Sequence, residues 1–193
     1  MTQKELELPI YPRANASTTE FVRFWSRQWS DKDRKADEDY YNRRIKGPLT
    51  DDGLRDLFRW KNQMPLSAGK QRTLERIVAR REELVRLPPD TEPKDFLNQF
   101  REGQAIWWIF LLHCWSHAHG SKKYPIYDQH VHRAMTFICK GECEENGGWS
   151  DEDKVKAYLT RYLRFFERFS DLDPQEVDQA LMVFGRFVKT YQF

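Results

Sequence analysis

The residues best suited to chemistry lie in one segment, Tyr-Pro-Ile-Tyr-Asp-Gln-His-Val-His-Arg, at positions 124–133. Asp128 follows a turn that contains proline and precedes a stretch with helical spacing of its apolar residues. Backbone N–H groups and the helix dipole stabilise an ionised carboxylate at the start of a helix. Two interpretations of Asp128 follow: it caps the helix, or it is a charged group that takes part in chemistry.

This segment resembles a motif of the helix-hairpin-helix DNA glycosylases, a superfamily that includes the endonuclease III-like and adenine glycosylases. The pattern of that superfamily is close to Pro-x-x-Asp-Thr-His-Val-x-Arg. The positions that match it in register are Pro125, Asp128, His130, Val131 and Arg133. Gln129 replaces the usual small hydroxyl residue. The resemblance implies that Asp128 is the catalytic carboxylate of an enzyme that cleaves N-glycosidic bonds in DNA.

The superfamily also places a glycine-rich hairpin before a long apolar helix. Residues 98–105 correspond to this hairpin, and Gly103 is the only one of its glycines that is retained. Bifunctional members carry a lysine at the start of the next helix, which forms a Schiff base with the sugar. That position falls near Gln104 or Ala105, and no lysine lies between Lys94 and Lys122. The resemblance therefore implies a monofunctional glycosylase that leaves an abasic site.

The chemistry of base removal defines which other residues are candidates for the site. Positive charge develops on the sugar, where a carboxylate stabilises it, and the base must leave the stack for a pocket in which aromatic rings replace its stacking partners. The candidates for contact with the base are Gln104, Trp107, Trp108, Trp115, Tyr124, Tyr127 and His130. The candidates for contact with the DNA backbone are Gly103, Lys122, Lys123 and Arg133.

Two other functions remain open. A non-catalytic helical module that binds DNA or a protein partner fits the incomplete hairpin, the missing lysine and the net charge of only +2. The second open function is a metal-dependent hydrolase, which we consider because histidines, common metal ligands, are frequent in this part of the chain. They are His113, His117, His119, His130 and His132. The sequence lacks the His-Glu-x-x-His signature of zinc enzymes, and we assign no metal ligand.

The composition excludes several classes of protein. A chain of 193 residues is long enough to bury a hydrophobic core without disulfides. Its 32 Lys and Arg residues nearly balance 30 Asp and Glu residues, so any surface for nucleic acid must be local. Aromatic residues make up 15% of the chain, which argues against disorder.

The cysteines and the apolar runs bear on location and partners. Three cysteines are typical of a reduced cytoplasmic protein, and they are too few for a four-cysteine iron–sulfur cluster. The longest apolar run, residues 105–112, is far shorter than the roughly 20 residues of a membrane span. Together with the resemblance, these features predict a monomer without a cofactor that binds DNA and does not enter a membrane.

Helical spacing runs through almost the whole chain after an irregular arm, residues 1–17. Thr18 or Thr19 can cap the first helix, and the charged residues 31–39 are expected to be solvated. Further helices are predicted to begin near residues 50, 68, 93, 105, 128, 150 and 173. The sequence thus predicts an all-α fold, a non-repetitive bundle of about eight helices whose most buried member begins near residue 105.

The resemblance implies that this bundle has two lobes. Residues 50–135 form the lobe with the hairpin, and residues 18–49 together with 136–193 form the second lobe. We therefore expect one helical domain, residues 18–193, with Asp128 in the cleft between its lobes.

Overall fold

The computed structural model describes residues 16–63 and 65–191, and nearly all of the arm predicted for residues 1–17 lies outside them. The described residues form ten helices and no strand. The all-α prediction is confirmed, and the predicted number of about eight helices is too low. No helix within the described ranges is long and apolar enough to cross a membrane.

The first helix, α1, spans Thr18–Arg27. Its N-cap is Ser17 rather than Thr18 or Thr19, because the Ser17 side chain accepts a hydrogen bond from the backbone N–H of Glu20 at 3.2 Å. The Glu20 carboxylate in turn accepts from the backbone N–H of Ser17, which completes a capping box.

Helix α2 occupies the charged segment that the sequence predicts to be solvated. It begins as Asp31–Ala36, continues through a π-helical turn, Asp37–Tyr41, and ends as Asn42–Ile45. Within residues 31–39 the expectation of a solvated segment is wrong for Asp37, which is buried, and Tyr41 in the same turn is buried too. The other residues of the predicted segment are exposed or partly exposed. Single π-helical turns are frequent at functional sites.

Four short helices follow. They are α3 Asp51–Asn62, α4 Ala68–Ala79, α5 Arg81–Arg86 and α6 Pro93–Gln99. The sequence predicts a single helix from residue 68 to 87, but the chain leaves the helical conformation at Arg80. The guanidinium of Arg80 donates to the carbonyl of Gln99 at 3.0 Å and lies over the ring of Phe100. These contacts tie the break in the helix to the end of α6.

The predicted central helix is α7, Ala105–Ala118. Every residue from 107 to 116 is buried, so the helix is covered on all sides. A helix that is apolar all round belongs in the interior of a domain. The prediction of a buried helix in this stretch is confirmed.

The last three helices follow Asp128 in the chain. Helix α8 is Gln129–Lys140, and α10 is Pro174–Thr190. Helix α9 begins as Asp151–Ala157, includes a π-helical turn, Tyr158–Tyr162, and continues as Leu163–Phe166 with a final turn, Glu167–Phe169. The predicted boundary between lobes at residue 135 falls inside α8, and the division into lobes stays a prediction.

Helices α8 and α10 cross at very close range at Gly185. A Cβ atom at this position would lie 1.9 Å from the carbonyl oxygen of His130. No side chain larger than hydrogen fits at this distance without a shift of the helices. The crossing therefore fixes the first turn of α8, where Asp128 is the N-cap, against α10.

Candidate active site at Asp128 and Lys61

A cavity of about 540 Å³ lies beside Asp128. Its volume falls within the roughly 300–1,000 Å³ that is usual for small-molecule sites. Its walls come from α2, α3, α4, α7, α8, α9 and α10 and from the loops before α2, α8 and α9. The aromatic residues that line it are Trp29, Tyr41, Trp60 and Trp107. Most of the other lining residues are polar or charged, so the cavity offers rings for stacking together with many hydrogen-bonding groups.

The Asp128 side chain is held in one orientation at the cavity wall. Its Oδ1 accepts hydrogen bonds from the backbone N–H groups of His130 at 2.8 Å and Val131 at 3.2 Å. Its Oδ2 accepts a hydrogen bond from Nζ of Lys61 at 2.8 Å. The two interpretations of Asp128 are thus compatible, because one carboxylate oxygen caps α8 while the other meets a cation in the cavity.

The surroundings of Asp128 favour its ionised form. Burial opposes ionisation, but the charge and hydrogen bond of Lys61 outweigh it, with help from His130 and the N–H of Val131. Together these interactions lower the pKa of Asp128 to about 2. The carboxylate is therefore negatively charged at neutral pH.

Lys61 is the residue of this site that sequence analysis missed most clearly. It lies in the last turn of α3, and its side chain is 11% exposed, compared with 14% for Asp128. No spacing rule connects two residues that are 67 positions apart. Only the packing of α3 against the start of α8 brings the amine to the carboxylate.

Asp37 holds two of the aromatic walls in place. Its carboxylate accepts hydrogen bonds from Nε1 of Trp29, Nε1 of Trp60 and Nε2 of Gln179, each at 3.0 Å. Burial raises the pKa of Asp37, and these three donors act in the opposite direction. We call Asp37, Trp29, Trp60 and Gln179 the Asp37 frame. Because its donors come from α3, α10 and the loop before α2, the frame fixes the relative positions of three cavity walls.

Four of the residues predicted from the sequence line this cavity. They are Gln104, Trp107, Asp128 and His130. Gln104 is exposed at the N-cap of α7, and Trp107 lies one turn further along that helix. The first turn of α7 and the first turn of α8 therefore meet at the cavity.

The structure does not place Trp108 or Trp115 at the cavity, which corrects the prediction that they line a base pocket. Trp108 is buried beneath the guanidinium of Arg101, and Trp115 packs against Phe96. The reason is geometric: successive residues of a helix point in different directions, so only one face of α7 reaches the cavity.

Tyr124 and Tyr127 also lie away from the cavity wall, contrary to the prediction. Tyr127 is buried, and its hydroxyl is hydrogen-bonded to Nδ1 of His132 at 2.9 Å. The carbonyl of Tyr124 is hydrogen-bonded to Nδ1 of His113 at 2.7 Å. Through these contacts both tyrosines stabilise the loop before α8.

Arg133 is not available to the DNA backbone, which corrects another prediction. It is 1% exposed, and its guanidinium donates two hydrogen bonds to the carboxylate of Glu145, at 2.5 and 2.8 Å. A third contact joins the guanidinium to Nδ1 of His130 at 3.0 Å. Contact with a phosphate would require Arg133 to break these interactions.

The other predicted contacts with the DNA backbone are exposed but do not line the cavity. Lys122 and Lys123 lie in the loop after α7, and Lys122 is 3.7 Å from the carboxylate of Asp173. Gly103 has a φ of +80°, a conformation that favours glycine, and it precedes the N-cap of α7. Its role in gripping DNA stays a prediction.

The histidines do not form a metal centre in the part of the chain that the structure describes. No group of three His, Cys, Asp or Glu residues there could hold a metal ion. Both ring nitrogens of His113 are already hydrogen-bonded, to the hydroxyl of Tyr41 and the carbonyl of Tyr124, each at 2.7 Å.

Comparison with known proteins gives no further assignment. No protein-family model matches the chain, and no curated protein or solved structure matches it either. We therefore infer the function from the geometry of the cavity and from the motif around Asp128.

Proposed function

We propose that this protein is a DNA N-glycosylase that removes a base flipped out of the duplex. The base enters the cavity, and Asp128 is the catalytic carboxylate. The observation that carries the proposal is a carboxylate with its pKa lowered to about 2 on the wall of a cavity lined by aromatic rings. Each part of this arrangement has a role in cleavage of an N-glycosidic bond.

The cavity walls suit an unstacked base. A flipped base loses its stacking partners, at a cost of a few kcal/mol, and aromatic side chains restore part of that energy. Because the Asp37 frame fixes Trp29 and Trp60, these rings do not have to be ordered when the base arrives. A wall that is already ordered lowers the entropic cost of binding.

Asp128 supplies the charge that the reaction needs. As the bond between base and sugar lengthens, the sugar becomes positively charged, and a fixed carboxylate stabilises that charge. The two N–H groups that bind Oδ1 keep the carboxylate in place. Oδ2 becomes available to the sugar when Lys61 moves away from it.

Lys61 favours a second candidate activity, cleavage of the strand at the abasic site. The Lys61 ammonium first transfers a proton to the Asp128 carboxylate, its hydrogen-bond partner at 2.8 Å. The uncharged amine then attacks C1′ of the abasic sugar in its aldehyde form, water leaves, and a Schiff base forms. Loss of a proton from C2′ then breaks the bond between C3′ and its oxygen. The absence of a lysine from the hairpin implies a monofunctional enzyme. Lys61, however, brings an amine to Asp128 from another helix, so the monofunctional form stays a prediction.

The first test is base release from oligonucleotides that each carry one damaged or modified base. We expect wild type to create alkali-labile sites in at least one of them, and Asp128→Asn to lose this activity while it keeps the helix cap. Asp173→Asn is the matched control, since Asp173 caps α10 through the N–H groups of Gln175 and Glu176. Equal activity of wild type and Asp128→Asn would contradict the proposal.

The second test uses a duplex that already contains an abasic site, so it does not depend on the identity of the base. Borohydride reduces a Schiff base to a stable covalent adduct between protein and DNA. A strand-cleaving enzyme gives this adduct in wild type and in Lys122→Gln but not in Lys61→Gln. A monofunctional glycosylase and a non-catalytic module both give no adduct, and base release in the first test distinguishes them.

A further inference from the structure

Besides Lys61, three further cations line the cavity, each from a different helix. Lys70 lies in the first turn of α4, Lys154 in α9 and Arg186 in α10. We call them the mouth cations. None of them belongs to the motif that points to Asp128, and none was expected from the sequence to contact DNA.

The positive charge of the mouth cations is only partly neutralised. Lys70 is exposed and donates to the amide oxygen of Asn62 at 2.6 Å, and no ion pair within the described residues includes it. Lys154 has its nearest carboxylate, on Asp151, at 3.9 Å. The Lys154 side chain is 12% exposed, and at 3.9 Å its attraction to Asp151 is weaker than that of an ion pair at 2.8 Å.

Arg186 is partly exposed, and its guanidinium also lies over the ring of Trp29. Its guanidinium lies 3.4 Å from the carboxylate of Asp33 and donates to the side-chain oxygen of Gln63 at 3.2 Å. Gln63 follows Asn62 in the chain, so Lys70 and Arg186 flank one short segment at the end of α3. Lys154 lies on another part of the cavity wall, near the start of α7. Its neighbour Asp151 accepts a hydrogen bond there from the N–H of Ala105.

We infer that Lys70, Lys154 and Arg186 bind the phosphates on either side of the flipped nucleotide. This inference rests on the proposed function. One sugar joins the base to both phosphates, so a base in the cavity brings its phosphates to the edge of that cavity. Contacts with phosphate position a protein on DNA without reading its sequence, and they require positive charge at the correct place.

In our inference these three cations take the place of Arg133, Lys122 and Lys123, while the role of Gly103 stays a prediction. Arg133 is buried against Glu145, and Lys122 and Lys123 are not part of the cavity wall. The mouth cations also agree with a net charge of +2, because a few cations around one cavity do not require a basic surface elsewhere.

The test is the salt dependence of binding to a duplex that carries a tetrahydrofuran analogue of the abasic site. Log affinity falls linearly with log salt, and each phosphate contact that is lost reduces the steepness of this fall by about 0.9. We expect such a decrease for Lys70→Gln, Lys154→Gln and Arg186→Gln. Lys154→Arg keeps the charge and should retain the wild-type slope. The controls Lys122→Gln and Lys123→Gln should also retain it.

The outcomes separate this inference from the proposed function. Unchanged slopes in all three mouth variants, or decreases only in the Lys122 and Lys123 variants, overturn the inference. Preference for the analogue over intact duplex tests the function instead. If wild type lacks that preference but the mouth variants still show a reduced salt slope, the phosphate contacts are supported and the glycosylase assignment is contradicted. Absence of any DNA binding overturns both.

Discussion

Nζ of Lys61 lies 2.8 Å from Oδ2 of Asp128 and joins the end of α3 to the start of α8. Both side chains are largely withdrawn from water, so the pair is not comparable to an ion pair on the surface. Removing one partner leaves the other charge poorly solvated. The charge of the site and the stability of the fold are therefore coupled.

The first prediction is a loss of stability in acid that depends on Asp128. Its pKa is about 2 in the folded protein, compared with an ordinary value of 3.8. A lowered pKa means that the ionised group contributes to stability above pH 4, and that this contribution is lost as the pH falls from about 4 to 2. Its size at neutral pH is on the order of 2 kcal/mol.

Urea unfolding of wild type and Asp128→Asn between pH 7 and pH 2 measures this contribution. The asparagine keeps the cap but carries no charge, so the difference in unfolding free energy should shrink toward zero at the acid end. Asp173→Asn serves as the control and should show a small difference throughout, because the Asp173 side chain is half exposed. A constant difference for Asp128→Asn would contradict the lowered pKa.

A second prediction concerns the Asp37 frame. Asp37→Asn leaves one acceptor oxygen for three donors and turns an NH₂ group toward N–H groups. We expect a loss of about 2–4 kcal/mol of unfolding free energy, because buried donors then lack partners. Near-UV circular dichroism should also change, since Trp29 and Trp60 lose their fixed orientation.

The matched control is Asp39→Asn, in the same π-helical turn. Asp39 is partly exposed, and its only ion pair in the described residues, with Arg43, is 3.8 Å long. This variant should unfold like wild type and keep its near-UV spectrum. Equal behaviour of the two variants would show that the Asp37 frame does not order the cavity walls.

The motif around Asp128 allowed prediction of the cap and the following helix, and the apolar run from residue 105 allowed prediction of the central helix, because these features depend on local sequence. The cavity walls could not be predicted in the same way. Lys61, Asp37 and Arg186 come from three helices, and only tertiary packing brings them near Asp128. Proximity in sequence was misleading for Trp115 and Tyr127, because residues close to Asp128 in the chain point into the core.

Gly185 gives a third prediction. In Gly185→Ala the new Cβ would meet the carbonyl of His130, so α8 and α10 must separate. We expect a loss of at least about 1–3 kcal/mol in urea unfolding, the usual cost of overpacking. Gly69→Ala is the control: no atom lies within 4 Å of its added Cβ, and the change should stabilise α4 by about 0.5–1 kcal/mol. Equal stability of the two variants would contradict the close crossing.

The last prediction separates a structural role of Arg133 from contact with DNA. Methionine fills much of the volume of arginine but cannot replace the two hydrogen bonds to Glu145. Because Glu145 is half exposed, it regains water when Arg133 is lost, so we expect a moderate cost of about 1–3 kcal/mol for Arg133→Met. Lys123→Met should leave the stability almost unchanged, since Lys123 is exposed.

The salt slope of DNA binding by folded Arg133→Met should equal that of wild type, because a buried guanidinium does not release counterions from phosphate. A lower slope with unchanged stability would instead make Arg133 a backbone contact, as the motif implies.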